Sequence, residues 1–229
     1  MSTEMEAVVD RILAKGEHDI TIATPLGLGK PNVLLNAIYS RFKADPSRKL
    51  TIATALSLQT PKGKSDLERR FLEPFTKRHF GENYPELEYA MDLQAGRLPA
   101  NVKVQEFYFA SGAMLQSERA QRDYVSVNYT HVARDLLERG DLHAIVQLVA
   151  KRGEGDNARY SFSCNPDVTL DLLDRVKQRG MTKPLVVGVV HDSLPFLGGD
   201  AEVGAEIFDA LLQSSDAEQP LFALAREPI

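Results

Sequence analysis

The stretch Ile20-Thr21-Ile22-Ala23-Thr24-Pro25-Leu26-Gly27-Leu28-Gly29-Lys30-Pro31-Asn32-Val33-Leu34-Leu35 decides how the chain is read. Its apolar, β-branched opening predicts a strand. Gly27 and Gly29 then let the backbone turn and approach a neighbour closely. Pro31 suits the first position of a helix, where its missing N–H costs nothing. Leu34, Ile38 and Phe42 recur at helical spacing and mark the buried face. Lys30 conflicts with local preference: the first helical turn carries no Asp or Glu, and a cation at that positive end is mildly unfavourable. Two readings stay open. Either the amine points into water, or an anion bound at the helix N-terminus offsets the conflict.

Outward from this unit the chain keeps alternating. Upstream, residues 7–14 read as a helix with Val8 and Ile12 inward, closed by Gly16. Downstream, the turn Asp45-Pro46-Ser47 leads to a strand over 50–55. The polar loop 56–64 follows at the carboxyl end of that strand, where open α/β sheets place ligands. Ser65 is a cap for a helix over 66–79 with Leu67, Phe71, Leu72 and Phe75 apolar. A short helix opens at Tyr84-Pro85-Glu86, a strand covers 102–109, and 113–121 reads as helical. Further expectations are a short strand at 124–127, a helix over 131–139 stopped by Gly140, and an apolar strand at 144–149. Asn165 and Pro166 read as cap and first residue of a helix carrying Val168, Leu172 and Val176. The last clear strand is 184–190. The segment 192–229 is looser, with 206–213 either helix or distorted strand. This alternation predicts one α/β domain over 1–229, an open, mostly parallel sheet with helices on both faces.

Composition narrows the function. A chain of 229 residues can bury a sizeable core. A net charge of −5 argues against a general nucleic-acid binder, so no nucleic-acid partner is expected. The lone Cys164 excludes an intramolecular disulfide and fits a reducing compartment. At the end of the stretch Tyr160-Ser161-Phe162-Ser163-Cys164 it reads as a small buried residue. The acidic start lacks a signal pattern, and the longest apolar run, 185–190, is too short for a bilayer. The expectation is a soluble cytoplasmic protein with no membrane partner. A Walker loop fails at Thr24 and Pro31, and the dinucleotide fingerprint fails at Asn32. His18, His79, His131, His143 and His191 show no paired ligand spacing, so no metal is expected. Ser111-Gly112 lacks the surroundings of a serine nucleophile. The residues by themselves define a glycine loop suited to an anionic ligand and no reaction.

Three stretches resemble the N-terminal half of the acetyl-CoA hydrolase/transferase family, within the class I CoA-transferases. Gly27-Leu28-Gly29-Lys30-Pro31 is similar to the family's glycine loop ending in Gly-x-Pro. Tyr129-Thr130-His131-Val132-Ala133-Arg134-Asp135-Leu136-Leu137, followed by Ala144-Ile145-Val146-Gln147, is similar to a helix and the strand after it. Val190-His191-Asp192-Ser193-Leu194-Pro195, then Gly199-Asp200, is similar to a stretch in which the family carries Asn where His191 stands. The resemblance implies a CoA-transferase-like half-enzyme whose substrates are coenzyme A, as acetyl-CoA or another thioester, and a small carboxylic acid. It implies that Gly27, Leu28, Gly29, Lys30, Pro31, Asn32, Thr130, His131, Leu194 and Pro195 face the substrate. It also implies a glutamate nucleophile, a glutamyl-CoA intermediate, and no resident cofactor. The catalytic glutamate belongs to the family's C-terminal half, so no catalytic residue is assigned here. Ala225-Arg226-Glu227-Pro228-Ile229 stands about where the family's linker begins. The C-terminal half is therefore the expected partner; a half-domain exposes the apolar face meant for it, so a homodimer of the isolated chain is an artefactual alternative way of covering that face. A CoA-binding module without chemistry is the alternative.

Overall fold

A computed structural model describes residues 2–221. Its strands are β1 (Asp19–Ala23), β2 (Lys49–Thr54), β3 (Val102–Glu106), β4 (Ala144–Arg152), β5 (Arg159–Ser161), β6 (Leu185–His191), β7 (Glu202–Val203) and β8 (Ala210–Ser214). Its helices are α1 (Thr3–Leu13), α2 (Asn32–Ala44), α3 (Asp66–Phe80), α4 (Glu88–Gln94), α5 (Glu118–Asp123), α6 (Val132–Glu138) and α7 (Asp167–Gln178). Six strands form a parallel sheet in the order β3-β2-β1-β4-β6-β8. The far end of β4 bends into an antiparallel extension with β5 and β7. The fold is thus the expected mixed α/β architecture with a mostly parallel sheet.

Register sets the geometry of the working edge. Ile22 lies opposite Ile52, and Thr54 lies opposite Glu106. The carboxyl ends of β1, β2 and β3 are therefore level, and the loops that follow them crowd together. One face of the sheet is covered by α1, α2 and α4, where Val9, Ile12, Leu34, Ile38, Phe42 and Leu93 pack on Ile20, Ile22, Leu50, Ile52 and Val104. The other face is covered by α6 and α7, through Ala133, Leu137, Leu172 and Val176 over Ala23 and Ile145. The apolar periodicities of α2 and α7 are what commit those faces inward.

Several elements differ from expectation for local reasons. The first helix starts earlier, at Thr3, because Ser2 Oγ accepts from Met5 N at 3.2 Å and caps it. Helix α5 is shorter than 113–121, because Ser117 Oγ caps it from Ala120 N at 3.3 Å. No strand forms at 124–127: Val125 N donates to Glu106 O at 3.0 Å, and no ladder joins that segment to β3. The 206–213 alternative resolves into β8, which pairs with β6. Helix α7 begins after Pro166 rather than at it. Ser65 does cap α3, in a full capping box with Glu68. Leu67 and Phe71 of α3 are 78% and 76% exposed, so that apolar stripe is not part of the core. Among the described residues no helix is long and apolar enough to cross a membrane. Residues 222–229, which include the linker-like stretch, lie outside the described residues.

Candidate functional site

The glycine loop is a single short 3-10 turn, Gly27–Gly29, at the carboxyl end of β1. Gly27 sits at φ 61°, a left-handed conformation that favours glycine, and its N–H donates to Leu56 O at 3.1 Å. Gly29 is needed for a different reason. A Cβ there would stand 2.4 Å from Asn165 Oδ1 and 2.8 Å from Pro25 Cγ. The second glycine thus lets the loop pack against the segment that leads into α7. Asn165 spends its side chain in this contact and does not cap α7. Pro31 is the N-cap of α2 rather than its first residue, and Leu28 is half-buried.

Lys30 follows neither open reading. Its side chain turns inward and the residue is 1% exposed. Nζ donates to Ala55 O at 2.5 Å and Leu56 O at 3.2 Å, tying the end of β2 to the glycine loop. Leu56 itself has φ 41°, a left-handed conformation that a leucine adopts only when surrounding bonds hold it. The N-terminus of α2 is occupied by a neutral group. Asn32 N donates to Gln219 Oε1 at 2.7 Å, and Gln219 Nε2 donates to Lys30 O at 2.8 Å. Asn32 Nδ2 is held by Tyr84 Oη at 3.1 Å and Pro85 O at 2.8 Å. His191 fixes the strap that carries Gln219. Its Nδ1 accepts from Ser193 N at 3.2 Å, so Nε2 bears the proton and donates to Gln219 O at 2.9 Å.

Glu106 ends β3 and was not singled out by motif. It is 0% exposed. Oε1 accepts from Ser57 N at 2.8 Å and Ser57 Oγ at 2.7 Å, and Tyr89 Oη lies 2.8 Å from the same hydroxyl. Ser57 Oγ spends its proton on Glu106, so Tyr89 is the donor to Ser57. Burial raises the Glu106 pKa, opposed by the charge of Lys30 and the Ser57 bonds. Burial likewise lowers Lys30 from 10.5 to about 7, with Glu106 pulling it back up. A signal for Glu106 existed in the sequence: Val102, Val104 and Glu106 share the inward face of one alternating strand, so the carboxyl had to be buried.

The remaining expected residues lie on the same edge at different depths. Thr130 and His131 are exposed in the turn that leads into α6, where Asn128 Oδ1 accepts from Thr130 N at 3.2 Å. Leu194 is buried in the main core, while Pro195 beside it is exposed. Cys164 is exposed, against the expectation of burial, because Ser163 at φ 53° turns the chain outward after Phe162. Tyr108, Leu115, Tyr124 and Tyr129, all after β3, are exposed, with the Tyr129 ring 5.7 Å from that of Phe107 and tilted by 49°. Among the described residues no group of three His, Cys, Asp or Glu side chains could hold a metal ion. The edge therefore offers the half-buried Gly27 and Leu28, the exposed Thr130 and His131 and several exposed apolar side chains, with Lys30 and Glu106 buried below.

No protein-family profile matches the chain. No curated protein matches it by sequence. Solved structures do match its fold. RipA from Yersinia pestis aligns with a TM-score of 0.57 at 14% identity, covering 99% of this chain and 47% of that one. A mutant of RipA aligns at 0.58 with 13% identity, covering 99% and 46%. A 4-hydroxybutyrate CoA-transferase from Porphyromonas gingivalis aligns at 0.52 with 14% identity, covering 93% and 39%. The chain has a CoA-transferase-like fold and spans less than half the length of these neighbours.

Proposed function

We propose that this chain is the glycine-loop half of an acetyl-CoA hydrolase or CoA-transferase. The observation that carries the reading is the carboxyl edge itself. It presents the half-buried Gly27 and Leu28 together with the exposed Tyr108, Leu115, Tyr124 and Tyr129, in a chain whose fold covers less than half of a CoA-transferase. In this reading a second half docks on this edge and contributes a glutamate nucleophile. That carboxylate attacks the thioester carbonyl and CoA leaves as thiolate; the thiolate then attacks the glutamyl carbonyl of the anhydride, which expels the acyl group as its free carboxylate and leaves a glutamyl-CoA thioester. A small carboxylic acid or water completes the cycle. Gly27, Leu28, Thr130, His131 and Pro195 line the accessible part of the site in this half. Gly29, Lys30, Pro31, Asn32 and Leu194 hold those residues from behind. Backbone N–H groups stabilise the developing oxyanion.

The alternative is a CoA-binding module without chemistry. It is favoured by the filling of the α2 N-terminus by Gln219, which leaves no helix-end charge site for a reacting anion. Two measurements separate the readings. Absorbance of the thioester bond should show no cleavage of acetyl-CoA by the chain alone, and turnover would contradict a nucleophile housed elsewhere. Calorimetry with CoA should show tighter binding when a separately expressed C-terminal half of a CoA-transferase is added. Saturable binding that ignores that half favours the module.

A further inference from the structure

A second cavity, of about 390 Å³, lies at the amino ends of the strands, opposite the glycine loop. That volume falls within the ~300–1,000 Å³ of small-molecule sites. Its floor is apolar: Leu137, Leu142 and Val176 belong to the core between α6 and α7, and Met181 packs against them. His143 is the fixed polar group of the wall. Its N–H donates to Thr21 O at 2.9 Å and its carbonyl accepts from Leu185 N at 2.9 Å, which clamps the residue between β1 and β6. Nδ1 accepts from Thr21 N at 3.0 Å, so the ring is neutral and carries its proton on Nε2. Nε2 has no hydrogen-bond partner among the described residues, and unlike Glu106 Oε2 it is not shut away from solvent. It lies beside Gly16, where an added Cβ would stand 3.2 Å from it, and the preceding residue, Lys15, lines the same cavity.

The charged side chains of the wall select the ligand. They are Lys15, Asp141 and Lys183. Lys183 is already spent, with Nζ 3.1 Å from Asp209 Oδ2 and 3.2 Å from Ile207 O. Lys15 and Asp141 are exposed and form no ion pair among the described residues. A lone anion entering here meets Asp141, and a lone cation meets Lys15 and the His143 N–H. A zwitterion answers both ends and adds no net charge. We propose that this cavity binds an apolar α-amino acid. Its carboxylate accepts from His143 Nε2 and faces Lys15, its ammonium faces Asp141, and its alkyl side chain lies over Leu142, Val176 and Met181. The site does not rest on the CoA reading, since none of the residues assigned to thioester binding line it.

The test titrates three compounds and reads the resonance of a ¹³C-labelled Met181 methyl group. L-Leucine carries both charged groups, 4-methylpentanoate lacks the ammonium, and 3-methylbutylamine lacks the carboxylate. In the native protein leucine should shift Met181 saturably and bind roughly tenfold more tightly than either analogue, the ratio for one charge-assisted hydrogen bond. Asp141→Asn should weaken leucine and the amine and leave 4-methylpentanoate no weaker. Lys15→Met should weaken leucine and 4-methylpentanoate and leave the amine no weaker. Both substitutions fall on exposed side chains outside the core. No saturable shift with leucine, or an analogue that binds as tightly as leucine, would overturn the proposal. So would an Asp141→Asn protein that keeps the full preference for leucine over 4-methylpentanoate.

Discussion

Replacing Lys30 by Met tests the claim that this lysine is an internal tie rather than a ligand contact. The perturbation keeps the length and apolar stem of the side chain and removes the amine. Ala55 O then loses its 2.5 Å partner and keeps only a long contact from Thr54 Oγ1 at 3.5 Å. Leu56 O loses its 3.2 Å partner but retains Gly27 N at 3.1 Å. An effectively orphaned buried carbonyl costs about 2 kcal/mol, and the second bond adds about 1 kcal/mol, so at about pH 10, where burial no longer penalises the amine, Lys30→Met should destabilise by about 3 kcal/mol, whereas at pH 7 removing a charge that burial disfavours offsets that loss. That is a large share of a typical stability of ~5–15 kcal/mol. The pH dependence supplies an independent signature. In the unfolded chain the amine holds its proton up to 10.5, and in the folded chain only up to about 7. Between those values the unfolded state binds more protons, so this group makes stability rise with pH, by at most ~1.4 kcal/mol per unit. Urea midpoints measured at pH 7 and pH 9 should show the rise in the native protein and its loss in Lys30→Met. A cost below ~1 kcal/mol at about pH 10, or a rise that survives the substitution, would refute the internal-tie reasoning.

Three further outcomes are expected. Gln219→Ala removes both bonds at the start of α2 and should cost ~1–2 kcal/mol, with hydrogen exchange at the Asn32 N–H accelerating. Gly29→Ala should destabilise by more than Gly27→Ala, because its methyl meets Asn165 Oδ1 at 2.4 Å whereas at Gly27 it meets only Leu58 Cδ1 at 4.0 Å and carries a backbone penalty alone; thermal midpoints of the pair check this order. Ser65→Ala should cost ~1 kcal/mol and loosen the first turn of α3, read from amide exchange at Glu68 and Arg69.

Much of the architecture was legible because it depends on local pattern. The periodicity of Leu34, Ile38 and Phe42 placed α2, and the apolar run Ala144-Ile145-Val146-Gln147-Leu148-Val149 marked a strand covered on both faces. The capping box at Ser65 is likewise a short-range signal. The site was harder to read because its decisive contacts are distant in sequence. Gln219 reaches Asn32 across 187 residues, and no local rule says that a glutamine near the end of the chain will occupy the start of α2. Lys30 reads as a surface cation in its own segment. Only the carbonyls of the neighbouring strand, brought alongside by parallel pairing of β1 and β2, give it a reason to turn inward. Glu106 was within reach of strand alternation, but a lone carboxylate on an inward register has no motif to draw attention to it. The exposure of Cys164 depends on one left-handed serine, which sequence pattern does not reveal.

The most direct test of the central claim is to titrate acetyl-CoA into the ¹⁵N-labelled chain and map which amides respond. Saturable shifts at Gly27, Leu28, Thr130 and His131, with the opposite edge around Lys15 and Lys183 unchanged, are the predicted result. Shifts confined to that opposite edge, or no saturable shift at all, would contradict a CoA site at the carboxyl ends of the strands.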